Sequence, residues 1–134
     1  MSGKFTLGKD VVREQIEWGV RAWFSLPEST STQHLVLVEV DLTPGFGHNF
    51  HIHPNQEEII YVLAGELDQW LETEHHTLKP GDTVFIPKNT VHASFNVSDK
   101  PLKFLAMLGP AVGPEGYELV DVSDQTPWNT LRAR

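Results

Sequence analysis

Hydrophobic residues in this chain fall into short runs separated by glycine, proline and asparagine. The clearest runs cover residues 35–42, 59–63, 67–71, 83–86, 91–97 and 102–108. Their lengths are typical of β-strands, and the residues between them are typical of turns. No segment has the apolar spacing of a long amphipathic helix. The pattern therefore predicts an all-β protein, built as a sandwich or a barrel.

Two of these runs, Ile59–Leu63 and Leu102–Leu108, are apolar at nearly every position. A strand of this composition is expected to be buried on both faces. A small barrel has one interior, so the second face needs another cover. We expect that cover to be either the chain termini or a second copy of the chain.

The segment before residue 35 has no clear period. We interpret residues 10–24 as extended, because Trp18, Val20, Ala22 and Phe24 then share one apolar face. The polar residues 27–32 predict a loop, and residues 72–76 predict a turn.

Candidate chemistry is concentrated at two places in the middle of the chain. His51 and His53 are two residues apart, so their side chains project from the same face of a strand. A Pro-Asn-Gln break follows, and Glu58 opens the next strand. Farther on, His92 lies in a strand that follows a Pro-Lys-Asn turn. We expect two hairpins that bring these four side chains together, and three imidazoles with one carboxylate suit a divalent transition metal.

The spacing of these residues resembles that of the cupin superfamily. Its first motif is a glycine, a His-x-His pair, a glutamate and a closing glycine, and its second is a glycine, a proline, a histidine and an asparagine. The chain fits both motifs at Gly45, His51, His53, Glu58, Gly65, Gly81, Pro87, His92 and Asn96. One position departs, because Asn89 stands where the second motif has a glycine. Asparagine tolerates the left-handed backbone expected there.

The resemblance implies a single-domain cupin barrel (a jelly roll, or double-stranded β-helix) over residues 1–134, with its core at 33–108, an N-terminal arm at 1–32 and a C-terminal tail at 109–134. It further implies one divalent transition metal per chain, either Mn, Fe, Ni or Zn. The implied ligands are His51, His53, Glu58 and His92. The resemblance also favours a homodimer, with Trp18 or Trp23 near the contact.

Six further residues are candidates for the lining of a substrate pocket: Asn49, Ile60, Val62, Gln69, Phe85 and Ser94. Gln69 is of interest because its neighbours of the same parity, Leu67 and Leu71, are apolar, and a buried amide needs a partner. We consider Gln69 as a contact to substrate or to a metal-bound water. No catalytic residue is identified, although Glu58 is a candidate for a dual role.

The remaining histidines receive no role in the chemistry. His48 is expected to face away from His51 and His53 in a regular strand, as a surface or supporting residue. His75 and His76 are expected at the tip of a turn, and His34 near the start of a strand. Glu57 has the opposite parity to Glu58 and is expected in solvent, whereas Asn96 is expected to bind backbone groups.

Composition narrows the class of protein. The chain has 134 residues, no cysteine and a formal net charge of −8. The negative charge argues against nucleic acid or an anionic membrane as a partner. The chain shows neither a secretory leader nor a membrane-spanning run, so we expect a cytoplasmic protein that binds a small molecule.

Two classes of function remain open. The first is an enzyme that uses the ion as a Lewis acid, most simply a dioxygenase-type oxidoreductase, with isomerase, lyase or decarboxylase chemistry as the alternative. The second is a module that binds a metal or small ligand without turnover. The fold by itself does not choose between them.

Overall fold

The computed structural model describes residues 3–132 and consists mainly of antiparallel strands in two sheets. The six-stranded sheet contains, in spatial order, β1 (Arg13–Ile16), β2 (Gly19–Ser25), β3 (Val36–Leu42), β10 (Leu102–Gly109), β5 (Glu57–Ala64) and β8 (Thr83–Ile86). The five-stranded sheet contains β11 (Val120–Asp121), β4 (Gly47–Ile52), β9 (His92–Phe95), β6 (Leu67–Leu71) and β7 (Glu74–Leu78). Two short helices are α1 (Pro27–Thr30) and α2 (Trp128–Leu131). The predicted all-β class is confirmed.

The main core lies between the sheets and is built by strict alternation along β3 and β10. The buried side chains of these two strands are Val36, Val38, Val40, Leu42, Leu102, Phe104, Ala106 and Leu108. Burying a side chain of this size stabilises a fold by roughly 1.5–3 kcal/mol. This core therefore fixes the six-stranded sheet as a rigid wall of the molecule.

The outer face of the same sheet is only partly covered, contrary to the expectation of strands buried on both faces. Met107, Ile59 and Phe85 are paired in register across β10, β5 and β8. Their side chains are 40%, 41% and 52% exposed. The termini do not cover this row in the part of the chain that the structure describes. The apolar runs in β5, β8 and β10 thus contribute to the core and also form an exposed apolar patch on the outer face of the sheet.

The expected hairpins around the histidines are wrong. β4 pairs with β9 and β11, whereas β5 pairs with β10 and β8. The breaks after β4 and β8 therefore carry the chain from one sheet to the other. Asn89 has the left-handed conformation expected at its position, with a φ of 58°, and its N–H donates to the His53 carbonyl at 2.9 Å. This bond joins the two crossing turns beside the histidines.

Two local predictions also differ from the structure. The polar segment expected to be a loop contains α1, in which Ser29 and Thr30 hydrogen-bond to Leu26. The segment expected to be a turn is shorter than predicted, because β7 begins at Glu74 and pairs with β6. Among residues 3–132, no helix is long and apolar enough to cross a membrane.

Candidate metal centre

Three buried histidines meet between the two sheets. His51 and His92 are partners in the β4–β9 pairing, and His53 follows the end of β4. One ring nitrogen from each lies within 4.8 Å of the others. Glu58 approaches from β5 in the opposite sheet, with its Oε1 3.0 Å from His92 Nε2 and 3.2 Å from His53 Nε2. The four residues that the sequence singles out are thus brought to one point.

The far side of each imidazole is tied to a backbone carbonyl. Nδ1 of His51 lies 2.6 Å from the Asn49 oxygen, Nδ1 of His53 lies 2.7 Å from the Glu118 oxygen, and Nδ1 of His92 lies 2.9 Å from the Thr90 oxygen. A carbonyl oxygen only accepts, so each Nδ1 carries a hydrogen. In the neutral ring, Nε2 then presents a lone pair to the centre. This is the supporting arrangement that metal-binding histidines require.

Unsatisfied atoms at the centre point to a cation. Neither Glu58 Oε1 nor His92 Nε2 has a hydrogen-bond partner, although both are buried. Their close contact joins a carboxylate oxygen to a lone pair, which is repulsive unless a positive charge lies between them. Three imidazole nitrogens and one carboxylate form a donor set for Mn, Fe, Ni or Zn. The residues present therefore fit a divalent transition metal.

The protonation states of these groups differ because of their surroundings. Burial, with help from the neighbouring histidines, lowers the pKa of His51 well below 6.5. Burial also acts to lower the pKa of His53, but contacts with Glu58 and with the Glu118 carbonyl outweigh it, and the pKa is raised. Burial acts to raise the pKa of Glu58, but His53 and His92 outweigh it, and the pKa falls far below its usual range. Glu58 is consequently charged at neutral pH.

A cavity of about 40 Å³ opens beside the centre. That volume holds roughly three water-sized positions. The wall from the six-stranded sheet is apolar and includes Val38, Val40 and Phe104. The remaining wall is aromatic and polar, and is formed by Trp18, Arg21, Trp23, His48 and Tyr117. Arg21 is the cationic member of this lining.

His48 belongs to the cavity, which corrects the expectation that it faces away. Its ring stacks on His51 with centroids 3.8 Å apart and on Trp18 with centroids 4.9 Å apart. The β4–β9 register shifts between His48 and His51, so the two side chains share a face despite their odd spacing. Burial lowers the pKa of His48 to about 4, so the ring is neutral at pH 7.

Two of the six candidate pocket residues line the cavity and four do not. Ile60 and Ser94 line it. Asn49 is exposed, and its side-chain oxygen accepts a hydrogen bond from the Phe50 N–H. Val62 is fully buried in the main core, and Phe85 is 52% exposed on the outer face. Gln69 is buried, but it accepts from the Ser94 hydroxyl at 2.7 Å and donates to the Trp70 carbonyl, so it is satisfied without a substrate.

Residues of the N-terminal arm line the cavity, although the alternation of side chains along the strand did not predict it. Of the expected apolar face, Trp18 lines the cavity, whereas Val20, Ala22 and Phe24 do not. Arg21 and Trp23, of the opposite parity, line the cavity together with Trp18. Both tryptophans proposed for a subunit contact thus pack beside the metal centre of their own chain.

The C-terminal tail supports the centre, which no local motif indicated. Glu118 supplies the carbonyl for His53, and its carboxylate accepts from the backbone and side-chain N–H groups of Asn55, both at 2.8 Å. Tyr117 packs on His53 with ring centroids 5.2 Å apart. Gln56 donates to the carbonyls of Pro110 and Gly116 and accepts from the Glu118 N–H. The tail is therefore fixed to the first motif by a buried amide.

The other predictions about polar residues can be placed directly. His75 and His76 lie in β7 and not at the tip of a turn, and His75 stacks on Trp70 and pairs with Asp68 of β6 at 2.6 Å. Glu57 is exposed, as expected from its parity. Asn96 donates to the carbonyls of Leu42 and Lys100, which confirms a backbone tie. His34 and His76 lie outside the cavity lining.

The sequence and fold are similar to those of known proteins. The family model for the cupin domain matches residues 38–108, which is more than half of the chain. Protein SchB of Streptomyces halstedii is 32% identical over 109 residues, covering 80% of this chain and 78% of that protein. Quercetin 2,3-dioxygenase of Bacillus subtilis is 32% identical over 62 residues, covering 46% of this chain and 18% of that protein.

A solved structure shares the same architecture. The structure of KdgF from a Halomonas species superposes with a TM-score of 0.72 at 24% identity, covering 81% of this chain and 94% of that one. At this identity the likeness concerns the fold alone. Together with the family match, it establishes that the chain belongs to the cupin family.

Proposed function

We propose that the chain is a single-domain, metal-dependent cupin enzyme that acts on a small organic molecule, with dioxygenase-type oxidation as the first candidate reaction. The observation that carries the proposal is the buried, unpaired Glu58 Oε1 facing His92 Nε2 and His53 Nε2. Leaving such groups unpaired costs about 1–3 kcal/mol each, and the cost is larger for charged groups. A bound cation removes that cost.

His51, His53, His92 and Glu58 would hold one ion per chain. A redox-active ion of the Mn, Fe or Ni type would supply Lewis acidity and access to oxygen chemistry. Glu58 cancels one of the two positive charges, so the loaded centre keeps a net charge of about +1. The carbonyl ties at Nδ1 keep each ring in the orientation that presents Nε2.

The rest of the cavity sets the conditions for substrate. Its apolar wall lowers the local dielectric and so strengthens electrostatic contacts inside. The volume of about 40 Å³ is well below that of the clefts that hold drug-sized ligands. The substrate we propose is therefore a small molecule that contacts the ion through oxygen atoms. Similarity to a quercetin 2,3-dioxygenase supports oxidation as the reaction class.

A non-oxidative reaction is the second candidate, as an isomerase, lyase or decarboxylase. Tyr117 favours it, because burial and the nearby Glu58 charge raise the pKa of the phenol well above its usual value. A neutral phenol in the cavity can donate a hydrogen bond to a substrate oxygen and stabilise negative charge that develops there. The same residue would position substrate in an oxidation, so the two reactions need to be separated by experiment.

Metal reconstitution separates the candidates. Untagged protein is stripped with a chelator, reloaded with Fe, Mn, Ni or Zn one at a time, and tested on small phenols, enols and diketones with and without oxygen. Turnover that requires Fe, Mn or Ni and consumes oxygen supports the dioxygenase. Turnover with Zn in the absence of oxygen supports the second candidate. Tight metal binding without turnover on the whole panel would contradict both and favour a binding module.

We also infer a homodimer that contacts through the outer face of the six-stranded sheet. The apolar row of Met107, Ile59 and Phe85 supports this inference, because exposed apolar rows are typical of subunit contacts. Light scattering at micromolar concentration should give twice the chain mass, and Met107→Glu should shift the protein to a monomer. A wild-type monomer would contradict the dimer. The cytoplasmic location stays a prediction.

A further inference from the structure

We propose that Arg21 and Tyr117 form an anion-binding subsite beside the metal centre, which receives the carboxylate of a small organic acid. The inference rests on the proposed function for the second anchoring point, the metal ion. Both residues lie outside the segment matched by the cupin family model. They come from the N-terminal and C-terminal arms, and both line the cavity.

Arg21 is held in place on two sides. Its Nε donates to Glu14 Oε1 at 2.6 Å, and its guanidinium carbon lies 5.3 Å from the centre of the Trp23 ring. The ion pair uses Nε, so the two terminal amino groups are left out of that pair. A guanidinium presents those groups as a fork that matches a carboxylate. Pairing and stacking thus orient a binding group that already lines the cavity.

Tyr117 connects this group to the metal centre through a series of ring contacts. The Tyr117 ring packs edge-on against Trp23 with centroids 5.1 Å apart, and against His53 with centroids 5.2 Å apart. Arg21, Trp23, Tyr117 and His53 therefore follow one wall of the cavity. A ligand along this wall would meet the guanidinium at one end and the ion at the other, with a neutral phenol between them.

The charge balance of the cavity favours an anion although the whole chain carries −8. Glu58 is buried at the centre, and the bound ion would neutralise its negative charge. Glu14 is 43% exposed, so solvent screens its pairing with Arg21. A loaded centre and one arginine thus leave the cavity positive, and the cavity volume of about 40 Å³ selects a short acid.

A binding experiment tests the subsite without relying on turnover. Zn-loaded protein is titrated by calorimetry with two acids, glycolate and pyruvate, and with their neutral counterparts, ethylene glycol and pyruvamide. We expect at least one acid to bind about tenfold or more tightly than its neutral counterpart, and Arg21→Gln to weaken acid binding by about tenfold while leaving binding of the neutral counterpart unchanged. Tyr117→Phe should weaken binding of the acid less, because it removes a neutral donor.

Arg13→Gln is the matched control. Arg13 also pairs with a glutamate, Glu39, at 3.2 Å, but it does not line the cavity. Its loss should leave acid binding unchanged. Should Arg21→Gln fail to fold, Arg21→Lys keeps the charge and removes the fork, and it should reduce the preference without abolishing it. Equal binding of acids and neutral counterparts by the wild type, or full acid binding by Arg21→Gln, would overturn the subsite.

Metal content separates this proposal from the proposed function. Elemental analysis of every variant should show the wild-type metal content, because Arg21 is not among the four candidate ligands. If the wild type binds no metal, the proposed function fails. The Arg21-dependent preference for acids in metal-free protein then tests the subsite alone, and its absence there would overturn it.

Discussion

Gln56 and Glu58 lie two residues apart and are both buried, yet their polar atoms have opposite surroundings. Gln56 donates to two carbonyls and accepts from one N–H, so it joins the first motif to the C-terminal tail. Glu58 has an oxygen with no hydrogen-bond partner, 3.0 Å from an equally unpaired nitrogen of His92. A satisfied buried polar group holds a fold together, whereas an unsatisfied one marks a place for a ligand.

The largest expected effect is loss of the metal when a ligand is removed. His92→Ala deletes one of four protein ligands, so metal affinity should fall by more than the roughly tenfold typical of losing a supporting hydrogen bond, and metal content after dialysis should fall sharply. Elemental analysis after dialysis measures it. His75→Ala is the control and should leave the metal content unchanged. His75 lies on β7 and is paired with Asp68 of β6. Full metal in His92→Ala would remove the basis for the four-ligand centre.

The next largest effect is expected from substitution of Glu58, with its neighbour Glu57 as the control. Glu58→Gln keeps the shape of the side chain and removes its charge, so metal affinity should fall by about tenfold or more. Glu57 is exposed on the same strand, and Glu57→Gln should have no effect. A competition titration with a chromophoric chelator measures both. If Glu57→Gln gave the larger loss, the assignment of the carboxylate ligand would be wrong.

Gln56→Ala should act on stability instead of metal chemistry. It leaves the Glu118 N–H and two carbonyls without their partner, at a cost of about 1–3 kcal/mol for each group that stays buried and dry. Denaturant unfolding of metal-free protein should show a loss of at least about 2 kcal/mol. Gln15→Ala, at an exposed site, is the control. A fully stable Gln56→Ala would show that water replaces the amide and would remove the contrast with Glu58.

The smallest expected effect is a change in the pKa of a buried histidine. Metal binding requires neutral imidazoles, so occupancy should fall as pH is lowered. In metal-free protein, His53 should take up its proton at a higher pH than His51, because the pKa of His53 is raised and that of His51 is lowered. Glu58→Gln removes the charge that raises the His53 value, which should then drop. Side-chain NMR of metal-free protein measures this order, and an unchanged His53 pKa in the variant would contradict the pairing.

The same pKa shifts determine how the stability of metal-free protein depends on pH. Because the pKa of Glu58 is lowered in the folded state, its contribution to metal-free stability is present above the ordinary carboxyl pKa of 4.5 and is lost as pH falls. The contribution of His53, whose pKa is raised, is present below 6.5 and is lost as pH rises through its folded value. The contact between Glu58 and His53 should therefore stabilise metal-free protein most in weak acid.

The four residues of the candidate metal centre could be predicted from sequence because their spacing is local. His51 and His53 share a strand face, and His92 lies at a fixed distance beyond a turn. The sheet pairing could not be predicted in the same way, because β4 and β5 are sequence neighbours in different sheets. His48 was misplaced because a register shift in β4 changes which side chains share a face.

Sequence reasoning missed Arg21 and Tyr117, the residues of the proposed anion subsite, for a different reason. Arg21 and Tyr117 come from the two arms and reach the cavity through long-range packing, so no local spacing identifies them. The alternation of apolar residues in the N-terminal arm predicted that the face of Val20 and Phe24 would pack inward, and not the face of Arg21. One signal was available, since an arginine between two tryptophans in an otherwise apolar strand is unusual in a face that only packs.

Anomalous diffraction from a crystal of Zn-loaded protein tests the central claim most directly. Data collected on both sides of the zinc absorption edge locate the ion without reference to activity. We predict one anomalous peak per chain, at about 2.0–2.2 Å from Nε2 of His51, His53 and His92 and from a Glu58 oxygen. A metal-loaded crystal with no peak at this point, or with its zinc held by other residues, would contradict the account.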